Sequence, residues 1–225
     1  MTTRLAPKKS ALIDHYQAAR TWVEQSTYLS EVNWLKGTSG SKLTESNFLR
    51  EYAWVVLNSG FREAIVRKHF AYISLAFCDW SSAREISKNA DGCIAAARAV
   101  FSHRLKLSAI VQTAMLLDDW SFERFAVQLR IEGVVFLERL PFIGSITSWH
   151  LAKNIGLNVA KPDRHMIRLA SKFGYSDVQI MCTDIANVTG DEMSVADLIL
   201  WRFEVETAKS KHSSRRENDK LVSAA

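Results

Sequence analysis

Few residues in this chain can stop a helix. It has three prolines and nine glycines in 225 residues, and its apolar side chains recur every third or fourth position rather than every second one. That periodicity predicts an all-α protein. Leu12, Ile13, Tyr16, Ala19 and Val23 share one helical face, after which Lys36-Gly37-Thr38-Ser39-Gly40-Ser41 reads as a loop. A second helix is expected from near Thr44, with Phe48, Leu49, Tyr52, Ala53 and Val56 in its stripe, ending at Ser59-Gly60. Another follows with Ile65, Lys68 and Phe70, and the segment from Asp91 to Leu117 carries Ile94, Ala97, Phe101, Leu107, Ile110, Val111 and Ala114 at the same period. Ser176 with Gln179, and Ser194 with Asp197, have the spacing of capping boxes and would open the last two helices.

With 48% hydrophobic residues the chain can bury a full core. Its length suits one domain over residues 1–208, built as two helical lobes with a groove between them. Residues 209–225, basic and poor in apolar side chains, read as a flexible solvated tail. The formal net charge of +5 favours a polyanionic partner, although ordinary soluble proteins can be as basic. Cys78, Cys93 and Cys182 are too few and too widely spaced for a disulfide framework or a four-ligand zinc or iron-sulfur site. No metal and no cofactor is therefore expected. The N-terminus has Lys8 and Lys9 but no apolar signal core, and no apolar run approaches the roughly 20 residues that span a bilayer. The expectation is a soluble, cytoplasmic monomer that does not engage a membrane.

Two short segments suggest chemistry. In Leu140-Pro141-Phe142-Ile143-Gly144, Pro141 fixes one φ angle, and Gly144 permits a turn that a side chain would obstruct, before a helix starting at Ser145. Ile143 would point inward and pin the flanking helices. The backbone amides at the helix start can hold a phosphate, with hydroxyls of Ser145 and Thr147 added. An ordinary helix-turn-helix corner is the plain alternative. In Lys161-Pro162-Asp163-Arg164-His165, Asp163 precedes a helix marked by Met166, Ile167, Leu169, Ala170 and Phe173. It would cap that helix. A capping carboxylate held beside DNA could also stabilise positive charge on a sugar as its base departs, and orient the attacking water.

The run from Leu140 to Ala170 resembles the helix-hairpin-helix DNA glycosylases, whose signature is an L-P-G-I-G type hairpin, a helix, and a catalytic aspartate just before another helix. Less specifically, Phe101-Ser102-His103-Arg104-Leu105-Lys106 is similar to the basic helix that precedes the hairpin in that superfamily, and Trp54 to Glu63 to the helix and turn that carry base-probing residues. The resemblance implies a catalytic role for Asp163 and a phosphate grip at Ile143, Gly144 and Ser145. Phe142 stands where the first hairpin glycine is usual. Where bifunctional members have a lysine nucleophile this chain has Ile146, so a Schiff base could not form by the usual route and simple hydrolysis is implied. Lys153 could substitute, or be a cation late in its helix; Lys161 could substitute, or contact a phosphate.

An enzyme acting on a base in duplex DNA must extrude it and fill the gap. The turn Asn58-Ser59-Gly60-Phe61-Arg62-Glu63 offers Asn58 or Phe61 as the wedge, and Trp54 as a pocket wall or simply a core residue. Glu51 and Glu63 could supply a second acid but are expected on solvated faces. His165 could line the site or cap its own helix. His103, Arg104, Lys106 and Arg139 could track phosphates, as could Phe142 and Arg164 beside the two motifs. The implied activity is that of a monofunctional DNA glycosylase, leaving an abasic site in duplex DNA that holds a damaged or modified base. Repair and restriction of modified phage DNA are both open uses. The rivals are a non-catalytic helix-hairpin-helix DNA-binding protein and a helical scaffold unrelated to nucleic acid.

Overall fold

A computed structural model describes residues 7–38 and 42–222, with side chains for 8–37 and 42–208. Among the described residues every regular element is a helix, as the spacing predicts. In chain order these are α1 (Pro7–Glu24), α2 (Leu29–Thr38), α3 (Glu45–Asn58), α4 (Glu63–Ala76), α5 (Ala83–Lys88) and α6 (Ala90–Ala97). Then come α7 (Arg104–Trp120), α8 (Phe122–Glu132), α9 (Val134–Leu137), α10 (Thr147–Asn154), α11 (Arg164–Lys172), α12 (Val178–Thr189) and α13 (Met193–Val222). The chain divides into two compact units: a terminal unit that joins Met1–Gly37 to Asn158–Ala225, and a central unit over Thr38–Leu157.

The terminal unit is closed by contacts between the two ends of the chain. Leu12, Tyr16, Ala19 and Val23 of α1 share a core with Met166 and Leu169 of α11, Met181 and Ile185 of α12, and Val195 and Ile199 of α13. Tyr16, Arg20, Lys9, Tyr175 and Arg202 at the edge of that core are paired, because an unpaired polar group would lose its hydration without return. The Tyr16 hydroxyl donates to Asp191 at 2.7 Å, and Arg20 reaches the same oxygen at 2.9 Å. Burial, with Asp191 beside it, pushes the Tyr16 hydroxyl well above its ordinary pKa. Lys9 and Tyr175 each approach Asp184 at 2.7 Å, and the hydrogen bond from Lys9 is the larger cause of the lowered pKa of that carboxyl. Arg202 grips Glu31 with both nitrogens, at 2.8 and 2.7 Å.

The central unit is organised around α3. Phe48 packs on Phe125 with ring centroids 4.5 Å apart, and Tyr52 lies a turn further along the same face. Thr44 caps the helix by accepting the Asn47 amide at 3.2 Å. At the other end Lys106, only 3% exposed, extends from the first turn of α7. Its ammonium donates to the carbonyls of Val56 (2.5 Å), Leu57 (3.3 Å) and Ser59. Burial pulls the Lys106 amine down to about 8. The carbonyls at the negative end of the α3 dipole keep its proton on at neutral pH. Elsewhere Cys78, Asp79 and Trp80 form a left-handed turn (φ 55°, 49° and 60°). The turn is held by Trp80 stacked on Phe77 and donating to Ser74 at 2.9 Å.

Several local expectations change. Lys36-Gly37-Thr38 belongs to α2 rather than to a loop, and the Ser39-Gly40-Ser41 part of that loop lies outside the described residues. The Asp91–Leu117 segment is two helices, since 98–103 break between α6 and α7. Neither capping box forms. Asp177 rather than Ser176 caps α12, accepting the amides of Gln179 and Ile180 at 2.5 and 3.2 Å, because its carboxylate reaches both. Ser194 lies inside α13, and its amide is taken by Asn158 at 3.2 Å. The backbone expected to form a tail from Lys209 continues α13 to Val222, while residues 223–225, like residues 1–6, lie outside the described set. Among the described residues no helix is long and apolar enough to cross a membrane.

Lys106→Met keeps the volume but strands the α3 carbonyls without their donor. It should cost about 2–4 kcal/mol in the unfolding free energy at neutral pH, read from a urea titration. A loss below about 0.5 kcal/mol, the range of an ordinary surface substitution, would show that the ammonium is not what holds this corner.

Candidate active site

The hairpin is built from α9 outward. Leu140 donates its amide to Leu137 at 3.1 Å, and Ile143 donates back to the Leu140 carbonyl at 3.1 Å. With Pro141 second and Phe142 third at φ 60°, this is the arrangement of a type II turn, whose third position favours glycine. The left-handed residue of the corner is thus Phe142, not Gly144. A Cβ built on Gly144 meets nothing within 4 Å, and Gly144 lies outside the left-handed region. The expectation that a side chain at 144 would obstruct the turn is therefore corrected: the space above it is open.

Tyr52 anchors the corner from below. Its hydroxyl contacts the Pro141 carbonyl at 2.7 Å and the Ala109 carbonyl at 3.3 Å, and burial pushes its pKa well up. Ile143 is buried, as expected of the pin. The amides available for an anion differ from the expected set. Ile143 spends its amide on Leu140, and Gly144 donates to the Thr147 hydroxyl at 2.7 Å, so Thr147 is engaged too. No side chain caps the first turn of α10, whose helix starts at Thr147 rather than Ser145, and Ser145 and Ile146 are exposed. The amides that take no hydrogen bond from the described residues are those of Ser145, Ile146 and Thr147, one step along the chain from the expected set.

A chain of rings connects the wedge turn to this corner. Asn58, Ser59, Gly60 and Phe61 close a second type II turn, with Gly60 at φ 75° and the Phe61 amide on the Asn58 carbonyl at 3.0 Å. Phe61, 40% exposed, packs on Phe101 (5.2 Å) and on His103 (5.9 Å), and His103 meets Phe142 edge-on at 6.1 Å. Phe142 is itself 43% exposed. Of the wedge candidates Asn58 folds back, donating to the Trp54 carbonyl at 2.9 Å, and Phe61 is the one presented to solvent. Trp54 is half-buried, with the edge of Phe70 5.0 Å away and Arg67 over its ring at 5.2 Å.

Some of the other candidates lie where expected and some do not. Lys106 is not a surface cation; its ammonium serves α3, as described above. Arg104 is exposed at the start of α7, whereas Arg139 is bound to Glu132, one of its nitrogens at 3.2 Å. Glu51 is buried rather than solvated. Burial raises its pKa, and it accepts a hydrogen bond from Asn154 at 3.0 Å, tying α10 to α3. Glu63 is held by Arg67 on the helix surface. Lys153 is buried in the last turn of α10, and Lys161 is half-buried.

In the terminal unit Asp163 is the N-cap of α11, as its position predicts. One oxygen, Oδ1, accepts the amides of His165 (2.9 Å) and Met166 (3.1 Å). Among the described residues Oδ2 accepts nothing, and the side chain is half-buried. The approach is shaped by Pro162, around which the Asp163 amide returns to the Lys161 carbonyl at 2.8 Å. Gln179, the residue assigned to a capping box, has another task. Its side chain takes the Ala160 amide at 3.0 Å and donates to the Ala160 carbonyl, clamping the segment that delivers Asp163. A lone glutamine on α12 carries no sequence signal for such a role. Arg164 is exposed and donates to His165 at 3.2 Å. Among the described residues no three His, Cys, Asp or Glu side chains converge as metal ligands.

With 16% identity and a TM-score of 0.53, the chain is similar to the crystal structure of Methanocaldococcus jannaschii 8-oxoguanine glycosylase/lyase in complex with 15mer DNA containing 8-oxoguanine. The likeness covers 85% of this chain and 95% of that one, and it establishes the fold. No family model matches the sequence, and no curated protein sequence does either.

Two substitutions test the corner without reference to activity. Gly144→Ala should raise stability by about 0.4–1 kcal/mol, since the site accepts a methyl and the unfolded chain loses freedom; a lower urea midpoint would restore the steric requirement. Tyr52→Phe should cost about 1 kcal/mol and speed hydrogen exchange at the Ile143 amide, as the Pro141 carbonyl loses its donor.

Proposed function

We propose that this protein is a monofunctional DNA glycosylase, which extrudes a damaged or modified base from duplex DNA and hydrolyses its N-glycosidic bond. The observation that carries the reading is Asp163. Two backbone amides fix one of its oxygens while the other takes no hydrogen bond from the described residues, in a fold shared with a DNA glycosylase/lyase.

The chemistry follows from that geometry. As the bond between sugar and base breaks, positive charge develops on the sugar. A carboxylate already oriented by its own helix lowers that charge's energy without first reorganising. The same group orients the water that then adds to the sugar. Half-burial strengthens the interaction relative to open water while leaving the carboxylate reachable. Strand cleavage through a Schiff base needs an amine. The exposed side chain at the start of α10 is Ile146, Lys153 is buried, and Lys161 is assigned to a phosphate, so the product proposed is an abasic site.

Each unit, taken by itself, offers groups suited to a nucleic-acid backbone. The Ser145, Ile146 and Thr147 amides, with Gly144 open above them, suit a phosphate approaching closely. Phe61 is the wedge that fills the gap left by the extruded base, backed by His103 and Phe142, with exposed Arg104 at a neighbouring phosphate. Lys161 and Arg164 flank Asp163 as further phosphate contacts.

Asp163→Asn is the decisive variant, because asparagine caps a helix as well as aspartate and the fold stays intact. Base release should fall about 10²–10³-fold while duplex affinity is kept. The assay is mass spectrometry of free bases from a panel of modified duplexes, beginning with 8-oxoguanine and including modified phage DNA. Release by the variant at the wild-type rate, or no base released from any substrate by the wild type, overturns the reading. Borohydride should trap no covalent complex.

A further inference from the structure

We propose that the groove between α11 and α13 in the terminal unit is a track for the DNA sugar-phosphate backbone, extending away from Asp163 along α11. This rests on the glycosylase reading for the identity of the polyanion. The groove encloses about 520 Å³ and is lined on one side by Arg164, Arg168 and Lys172. These cations recur every fourth residue, so they lie on one helical face with a rise of about 6 Å from each to the next. A nucleotide backbone presents its charges at a comparable interval. Leu169 and Val205 line the groove as apolar walls that concentrate the field of the three cations.

The charge of this face is left open. Elsewhere in the same unit three cations are matched: Lys9 to Asp184, Arg20 to Asp191 and Arg202 to Glu31. Among the described residues Arg164, Arg168 and Lys172 form no ion pair. Arg164 donates to His165, and Lys172 lies 5.2 Å over the Phe173 ring. Glu204, an acid in the opposite wall, accepts a hydrogen bond from His15 at 2.8 Å. Like charges one turn apart repel, which an isolated helix would avoid. A polyanion laid along the groove converts that repulsion into attraction and releases its counterions.

The test is the affinity of the full chain for an unmodified duplex, measured by fluorescence anisotropy from about 50 to 200 mM salt. Arg168→Ala/Lys172→Ala should weaken binding about tenfold at the lowest salt and reduce the slope of log affinity against log salt by about 2. Both positions are exposed and alanine favours a helix, so circular dichroism should be unchanged. A scan with single uncharged methylphosphonate linkages separates direct contact from an indirect effect. At one or two positions neutralisation should weaken the wild type and leave the double variant unaffected. Equal affinity and slope in the two proteins, or no such position in the scan, overturns the track. That failure is distinct from failure of the glycosylase reading, which is judged by base release from the wild type on modified duplexes.

Discussion

A helix end leaves several backbone amides or carbonyls without partners inside the helix, and burying them unpaired costs more than any one contact returns. In this chain many side chains meet that demand, or its equivalent at a turn, and four of them bear on the candidate site. Asp163 takes the amides that open α11. Lys106 supplies the carbonyls that close α3. Gln179 pairs both backbone groups of Ala160, and Tyr52 reaches the Pro141 carbonyl under the hairpin. The hairpin corner, the turn before Phe61 and the segment that carries Asp163 are each held by one of these satisfactions. Apolar burial sets which helices meet, but the polar terms decide where their ends stop.

This explains which features could be read from the sequence. The stripes Leu12-Tyr16-Ala19-Val23 and Phe48-Leu49-Tyr52-Ala53-Val56 are buried as their spacing requires, because period is a local property. Asp163 is equally local: an acidic residue after proline and before an amphipathic run has one favourable use. The inward Ile143 belongs to the same class. Lys106 and Glu51 were not legible. A charged residue on a helix is solvated unless a distant element covers it, and the partners here, Val56 to Ser59 and Asn154, lie 47 to 103 residues away. The capping boxes failed for a related reason: Asp177 outcompetes Ser176 for the same amides, and Gln179 is drawn off by Ala160.

The hairpin shows how a motif can keep its place while its parts exchange roles. The turn needs one left-handed residue, and Phe142 occupies that position at φ 60° although glycine would adopt it at lower cost. What offsets the cost is visible: Tyr52 fixes the preceding carbonyl, and the displaced ring packs against His103. Gly144 is thereby freed from any conformational duty, and the open space above it is what remains to be explained. A glycine that nothing in the protein crowds leaves room for something outside the protein to come close.

The helix α11 joins stability and contact in one element. Its positive N-terminal end favours the Asp163 carboxylate, and its negative C-terminal end favours Lys172 in the last turn, so the charges at both ends suit the helix that bears them. The buried face, Met166, Leu169 and Ala170, is committed to the core of the terminal unit and holds the helix against rotation. Between these constraints Arg168 is the residue that gains nothing from the dipole, the core or a carboxylate of the described residues. Its charge, midway along the exposed face, is the one that the proposed backbone track would use most directly.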